Sequence, residues 1–226
     1  MKKIIIDVWS DFVCPWCWIA KTRMERAIKN VPSDVVIEVN SKAYRLARNM
    51  APMDFKRALI QKFSGEYGAR QMMTAVSQQG EMEGLKYNFD TMRFGDTSDA
   101  HALVKHVVGR EAQNSLIEAL MKASITDGLD IFDRDILKNI ALQSGVSADT
   151  VDSCKFDQSS IAQDEKQASQ VANGVPLFVF NTKLHLSGAQ PLTVFQNALN
   201  SALDYSPVEA VGSQARSCDD GACRIK

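Results

Sequence analysis

The chain has 226 residues, of which 45% are hydrophobic and 23% charged, enough apolar material for a substantial core without metal or disulfide staples. Its 26 basic and 27 acidic residues give a formal net charge of −1, which excludes the electrostatic footprint of a nucleic-acid or anionic-membrane binder. No apolar run approaches the ~18 residues of a membrane helix. The stretch Ile4, Ile5, Ile6 after Lys2 and Lys3 is cut short by Asp7, well below the ~7–15 apolar residues of a secretory core, so the expectation is a soluble, unprocessed, cytoplasmic protein.

In chain order, residues 3–9 (KIIIDVW) alternate weakly and carry the Ile and Val of a buried strand. A short loop then leads into Cys14, Pro15, Trp16 and Cys17. From Pro15 to about Asn30 the pattern is helical, with Cys17, Ala20, Met24, Ala27 and Ile28 on one face. Pro15 suits a first helical turn, where its missing N–H costs nothing. A turn at Pro32, Ser33 and Asp34 precedes a second strand, VVIEVN, at 35–40. From about residue 49 to 173 every segment reads as helix, with Asp133 and Ser147 as N-caps and Gly145 as a stop. Strand character returns at 175–181 (VPLFVFN) and 184–186 (LHL), and a helix follows from Pro191 or Leu192 to near Leu203. The predicted organisation is α/β: sheet-forming halves at 1–48 and 174–206, an all-helical insertion at 49–173, and a flexible polar tail at 207–226 with a CX4C pair.

Five cysteines, at 14, 17, 154, 218 and 223, are too few for a disulfide scaffold, and their odd number leaves one over. In a reducing compartment, paired cysteines point to redox chemistry or metal. Cys14 falls at the N-cap of the predicted helix, where unpaired N–H groups and the helix dipole favour a thiolate. Cys17 lies one turn further in, so Cys14 is expected to attack and Cys17 to resolve. Pro15 and Trp16 bring no charge and Asp11 opposes ionisation, so the expectation is a lowered pKa for Cys14 and intermediate oxidising power. The alternative is a zinc site shared with Cys218 and Cys223, whose four intervening residues lie at the edge of zinc spacing. A CxxC that follows a strand and opens a helix favours redox, so no metal is predicted.

SDFVCPWCW after the first strand, GVPLFVFN before a late one and SGAQP entering the last helix together resemble the DsbA family of thioredoxin-like oxidoreductases, in its FrnE-like branch. DTSDAHAL, around His101, is similar to a stretch of that branch. The resemblance implies a thioredoxin fold with a helical insertion and a thiol–disulfide oxidoreductase or isomerase without a dissociable cofactor. It implies cysteine-containing protein or peptide substrates, recycling by a thiol partner such as thioredoxin or glutathione, and a monomer or dimer in the cytoplasm. It further makes Pro176 a cis proline facing the active-site sulfurs. The backbone of Val175 would then pair with a substrate strand, and Pro15 and Trp16 would touch the substrate. By the same resemblance, Cys218 and Cys223 form an auxiliary redox pair that shuttles to Cys14; the alternative is a tail-stabilising disulfide or an incidental pair.

Cys154, without a partner at sensible spacing, reads as a small buried hydrophobe. Asp7 is either a proton acceptor for Cys17 or an exposed strand-end residue. His101 is placed at an interface and His185 on a strand surface, while His106 suggests nothing further. Six of the nine methionines lie between Met50 and Met92, as core filling or as an adaptable surface beside Trp16 and Trp18. Two further functions stay open. One is a glutathione-dependent transferase or isomerase of the kappa-class or hydroxychromene-carboxylate isomerase type, a group that lacks the second motif cysteine. The other is a chaperone-like binding module.

Overall fold

A computed structural model describes residues 2–204 and the backbone of residues 222–224. Strand β1 (Lys2–Ser10) leads into helix α1 (Pro15–Ile28) and returns to the sheet as β2 (Val35–Ala43), parallel to β1. Two later strands, β5 (Leu177–Phe180) and β6 (Leu184–Ser187), join antiparallel, and the sheet closes with β7 (Ala222–Arg224) in the order β2-β1-β5-β6-β7. The period of two in β1 sends Ile4, Ile6 and Val8 to one face and Trp9 to the other. On the first face they pack with Phe178 and Phe180, with Ala20, Met24 and Ala27 of α1, and with Phe195, Ala198, Leu199 and Ala202 of the last helix, α9 (Leu192–Asp204).

Between β2 and β5 the chain is helical apart from one feature that periodicity does not reveal. Two-residue strands β3 (Met53–Asp54) and β4 (Arg93–Phe94) pair antiparallel around α2 (Phe55–Lys62) and α3 (Glu66–Met82). Then come α4 (Ser98–His106), α5 (Arg110–Lys122), a π-helical turn (Ala123–Asp127), α6 (Arg134–Gln143), α7 (Ala148–Ser153) and α8 (Ile161–Ser169). Both expected caps are made: the Asp133 carboxylate accepts from the N–H groups of Asp135 and Ile136, and the Ser147 hydroxyl from that of Thr150. Leu103, Leu116, Leu120, Met121 and Leu137 form the centre of a second core. Helix α8 instead covers the sheet's other face, where Ala168 meets Trp9, Leu177 and Val179, and the Trp9 indole N–H donates to the carbonyl of Asp164.

Arg23 joins these parts. From the inward face of α1 its Nε donates to Glu83 at 2.7 Å and its Nη2 to Gln79 at 2.6 Å, while Nη1 donates to the carbonyls of Ala189 and Gln190. Arg23 and Glu83 are each 6% exposed at the side chain, so removing one partner strands the other. Arg26 also contacts Glu83 and softens the loss. Arg23→Ala is therefore expected to cost about 2 kcal/mol in denaturant unfolding, below the usual range for an isolated buried pair. Arg23→Lys, which cannot span the same acceptors, should recover less than half of that.

Candidate active site

The motif takes the geometry its sequence implies. Cys14 is the N-cap of α1, with φ −102° and ψ 104°, and Pro15 occupies the first helical position. No side-chain hydrogen bond caps the helix, so its first N–H groups stand beside Cys14 without a side-chain acceptor. A turn sets this up: the Cys14 N–H donates to the carbonyl of Asp11 at 3.1 Å, and that of Cys17 to the carbonyl of Cys14 at 3.0 Å. Both cysteines are free thiols, Cys14 5% exposed and Cys17 1%. They pack in the helical core rather than the sheet's. Burial pushes the Cys17 thiol well above its ordinary pKa, and a hydrogen bond to Cys14 reinforces the shift, so Cys17 holds its proton and shares it with its neighbour.

Beneath the motif lies a buried polar cluster. Asp11 is fully buried; Oδ2 accepts from the Leu46 N–H at 2.7 Å and Oδ1 from the Thr97 hydroxyl at 2.8 Å. These bonds tie the β1–α1 loop to the chain after β2 and to the start of α4. Desolvation nevertheless raises the Asp11 pKa to about 6. His101 stands 3.9 Å from Asp11 Oδ1 and packs on Phe12 with ring centroids 4.5 Å apart. Burial lowers its pKa to about 3, and its Nε2 hydrogen-bonds the carbonyl of Tyr44 at 3.2 Å, so the ring is neutral and does not salt-bridge Asp11. Asp7 is elsewhere: its carboxylate accepts from Asn40 at 2.9 Å, on the β1 face away from α1, since it alternates with Ile6 and Val8. The acidic group near Cys17 is Asp11, whose charge adds to the cost of ionising that thiol.

The Val175–Pro176 bond is cis, in agreement with the resemblance. Pro176 and Cys17 line one cavity. The N–H and C=O of Val175 have no partner among the described residues, while its side chain packs against both the helical core and the α8 face. Pro15 is buried, and its carbonyl accepts from the Tyr87 hydroxyl at 3.2 Å; Trp16 is partly exposed. Trp18 departs from the substrate-surface reading. It is 4% exposed, and its indole N–H donates to Glu118 at 2.8 Å, fixing α1 to α5. Met92 is buried, Met72 and Met73 pack against the helical core, and Met82 is exposed, so the methionines chiefly fill space. Cys154 is buried and free, and His185 is half-buried with an unpartnered Nδ1. Cys218 lies outside the described residues; the backbone of Cys223 pairs in register with His185 at the sheet edge. Among the described residues no three His, Cys, Asp or Glu side chains gather as metal ligands.

Tyr87 roofs the motif, edge-on to Trp18 and stacked on Phe89. It fits only because residue 80 has no side chain: a Cβ there would come within 2.1 Å of the Tyr87 ring. Gly80→Ala is expected to displace that ring and lower stability by about 1–2 kcal/mol. Tyr87→Phe, losing one hydrogen bond, should cost less. Equal losses in thermal unfolding would contradict this arrangement.

A strand–dithiol–helix turn, a cis proline on the adjoining strand and a helical segment between the two halves of the sheet define a thioredoxin-like thiol protein. The comparisons go further. The model of the DSBA-like thioredoxin domain matches residues 5–200, and the chain belongs to that family. A probable DsbA oxidoreductase from Streptomyces coelicolor is similar throughout, with 28% identity, a TM-score of 0.82 and 99% of both chains covered. The cytosolic disulfide reductase DsbM from Pseudomonas aeruginosa, determined with GSH, shares the fold at 15% identity and a TM-score of 0.62, over 89% of this chain and all of that one. A 2-hydroxychromene-2-carboxylate isomerase does so at 12% identity and a TM-score of 0.59, over 87% and 95%. Among the described residues no helix is long and apolar enough to cross a membrane.

Proposed function

We propose that the protein is a thiol–disulfide oxidoreductase acting on cysteine pairs of proteins or peptides through Cys14 and Cys17. The observation that carries this reading is the placement of two hydrogen-bonded thiols at an otherwise uncapped helix N-terminus, Cys14 5% exposed and Cys17 1%. Cys14, as thiolate, attacks a substrate disulfide; one substrate sulfur leaves with the electron pair, and Cys14 is left in a mixed disulfide. Cys17 then gives up its proton and attacks Cys14, releasing the second substrate sulfur. The reverse sequence oxidises a dithiol. The unpaired backbone of Val175 serves as the edge on which an extended substrate segment pairs, with Trp16 beside it. Recycling falls to a thiol partner such as thioredoxin or glutathione, in the cytoplasm; Cys218 and Cys223 serve as an auxiliary pair.

The test is catalysis of insulin disulfide reduction in the presence of dithiothreitol, together with refolding of scrambled ribonuclease. Acceleration of either well above the uncatalysed rate supports the proposal. A protein that accelerates neither, yet turns over a glutathione conjugate, is instead a transferase or isomerase. Suppression of aggregation that persists with both cysteines alkylated supports a binding module.

A further inference from the structure

A cavity of about 440 Å³ lies between α1, the sheet and α5, and Cys17 rather than Cys14 is among the residues lining it. Val39 and Phe178 form its floor and Met24 and Ile117 its walls, with Cys17 and Pro176 at the buried end. The open end is at Arg110, whose side chain is 58% exposed where that of Cys17 is sealed. The cavity exists because α1 covers β1 and β5, whereas β2 is roofed only by α5, which stands off from it.

The mouth continues into a second, polar bay of about 450 Å³ along the β2 edge. Val39, Ser41, Arg110 and Gln113 line both spaces. The charged residues lining the bay are Lys42, Lys105 and Arg110, with no carboxylate among them. Their ion-pair partners are Asp164, shared by Lys42 and Lys105, and Glu38, which Arg110 shares with Lys3. Three bay-lining cations thus face two carboxylates, a local excess of one positive charge. Glu25 and Glu111 line the inner cavity, and Glu25 is paired with Lys21. A basic vestibule leading through an apolar passage to a sulfur suits a small thiol carrying a carboxylate, and the passage is too narrow for a folded protein.

We propose that this passage is a second entrance to the redox pair, through which an anionic low-molecular-weight thiol reaches Cys17 directly. The inference rests on the dithiol chemistry proposed above. The thiolate RS⁻ attacks the Cys17 sulfur of the Cys14–Cys17 disulfide. The bond between the cysteines breaks, its electron pair leaves on Cys14, and Cys17 carries the mixed disulfide. A second RS⁻ attacks the R sulfur, releasing RSSR and the Cys17 thiolate. The two protons of the two thiols end on Cys14 and Cys17, so two RSH are oxidised and one protein disulfide is reduced. Leaving-group chemistry favours this direction of attack. The expelled sulfur is the one at the helix N-terminus, whereas attack on Cys14 would expel a thiolate into the buried core. Protein substrates use the Cys14 side and small thiols the Cys17 side.

The experiment uses the full-length oxidised chain and follows its reduction by mercaptopropionate, by the cationic thiol cysteamine and by a reduced, unfolded protein. Ser41→Phe, which blocks the junction of bay and cavity, is expected to slow mercaptopropionate ~10-fold or more and to leave the protein thiol unchanged. Lys42→Glu should lower the mercaptopropionate rate relative to that of cysteamine. In a Cys14→Ser background, mercaptopropionate disulfide should add to Cys17, detected by mass, and Ser41→Phe should prevent it. Equal slowing of small and large thiols, no change in either, or no adduct at Cys17 overturns the second entrance. If adducts form but no protein substrate exchanges, the function proposed above falls and the entrance stands.

Discussion

Replacing Cys17 with Ser is expected to halt the reaction halfway, with substrate left bonded to Cys14 and turnover lowered by about a thousandfold or more. Cys17 is the sulfur sealed beneath the motif, its ionisation opposed first by burial, then by the hydrogen bond to Cys14 and by Asp11. Toward a protein substrate it has no use as the first nucleophile, and it becomes the resolving one when Cys14 is tied up and the shared proton can depart. A serine there cannot resolve the mixed disulfide, because an alcohol is almost wholly un-ionised at neutral pH. Cys14→Ser should lower turnover comparably and capture no protein substrate, since no other described cysteine sits at the N-cap of a helix. Non-reducing electrophoresis with a cysteine-containing protein, followed by mass analysis, separates the two variants. Persistent turnover in Cys17→Ser, or protein adducts retained in Cys14→Ser, would remove the assignment of roles.

The buried carboxyl of Asp11 predicts an inverted pH effect. Its pKa is raised by desolvation to about 6 in the folded protein from 3.8. The folded chain therefore holds this proton more tightly than the unfolded one. The associated stability is fully present below pH 3.8 and is lost as pH rises through about 6. A separation of about 2 pH units corresponds to about 3 kcal/mol. Asp11→Asn keeps the shape and can still accept from the Leu46 N–H, but it cannot ionise. The stability of the wild type relative to Asp11→Asn is thus expected to fall by about 3 kcal/mol between pH 4 and pH 7.5, flattening above that. Parallel denaturant curves for the two proteins across this range would show that Asp11 does not titrate there. His101, neutral in the folded state with its pKa lowered to about 3, gains a proton on unfolding at acidic pH in both proteins, so its contribution cancels in the comparison.

Much of this could be read from the chain because the relevant signals are local. A strand, a CxxC and a proline at the first helical position occupy fifteen consecutive residues (3–17), and each constrains the next. The caps at Asp133 and Ser147 act within three residues. The cis bond at Pro176 came from family resemblance and not from spacing. What stayed hidden is non-local. Asp11 looks like an exposed loop carboxylate until Leu46 and Thr97, 35 and 86 residues away, close over it. Strands β3 and β4 have two residues each, too short to show a period. Trp16 and Trp18 stand two apart in sequence, but the helical turn of about 200° between such positions sends one toward solvent and the other toward α5. The cavity behind Cys17 has no sequence signature, because it is the gap left between α5 and β2.

The two motif sulfurs are packed among the side chains of helices drawn from residues 55–156, not among those of the sheet. A bond that opens and closes in that position is therefore weighed against the cohesion of the whole helical body. By thermodynamic linkage, the difference in unfolding free energy between the oxidised and reduced forms is proportional, through the charge of the two electrons transferred, to the difference between the electrode potentials of the folded and unfolded dithiols. Calorimetry and redox titration are then two readings of one quantity, and a substitution deep in α5 or α6, far from either sulfur, can reset the voltage at which the protein works.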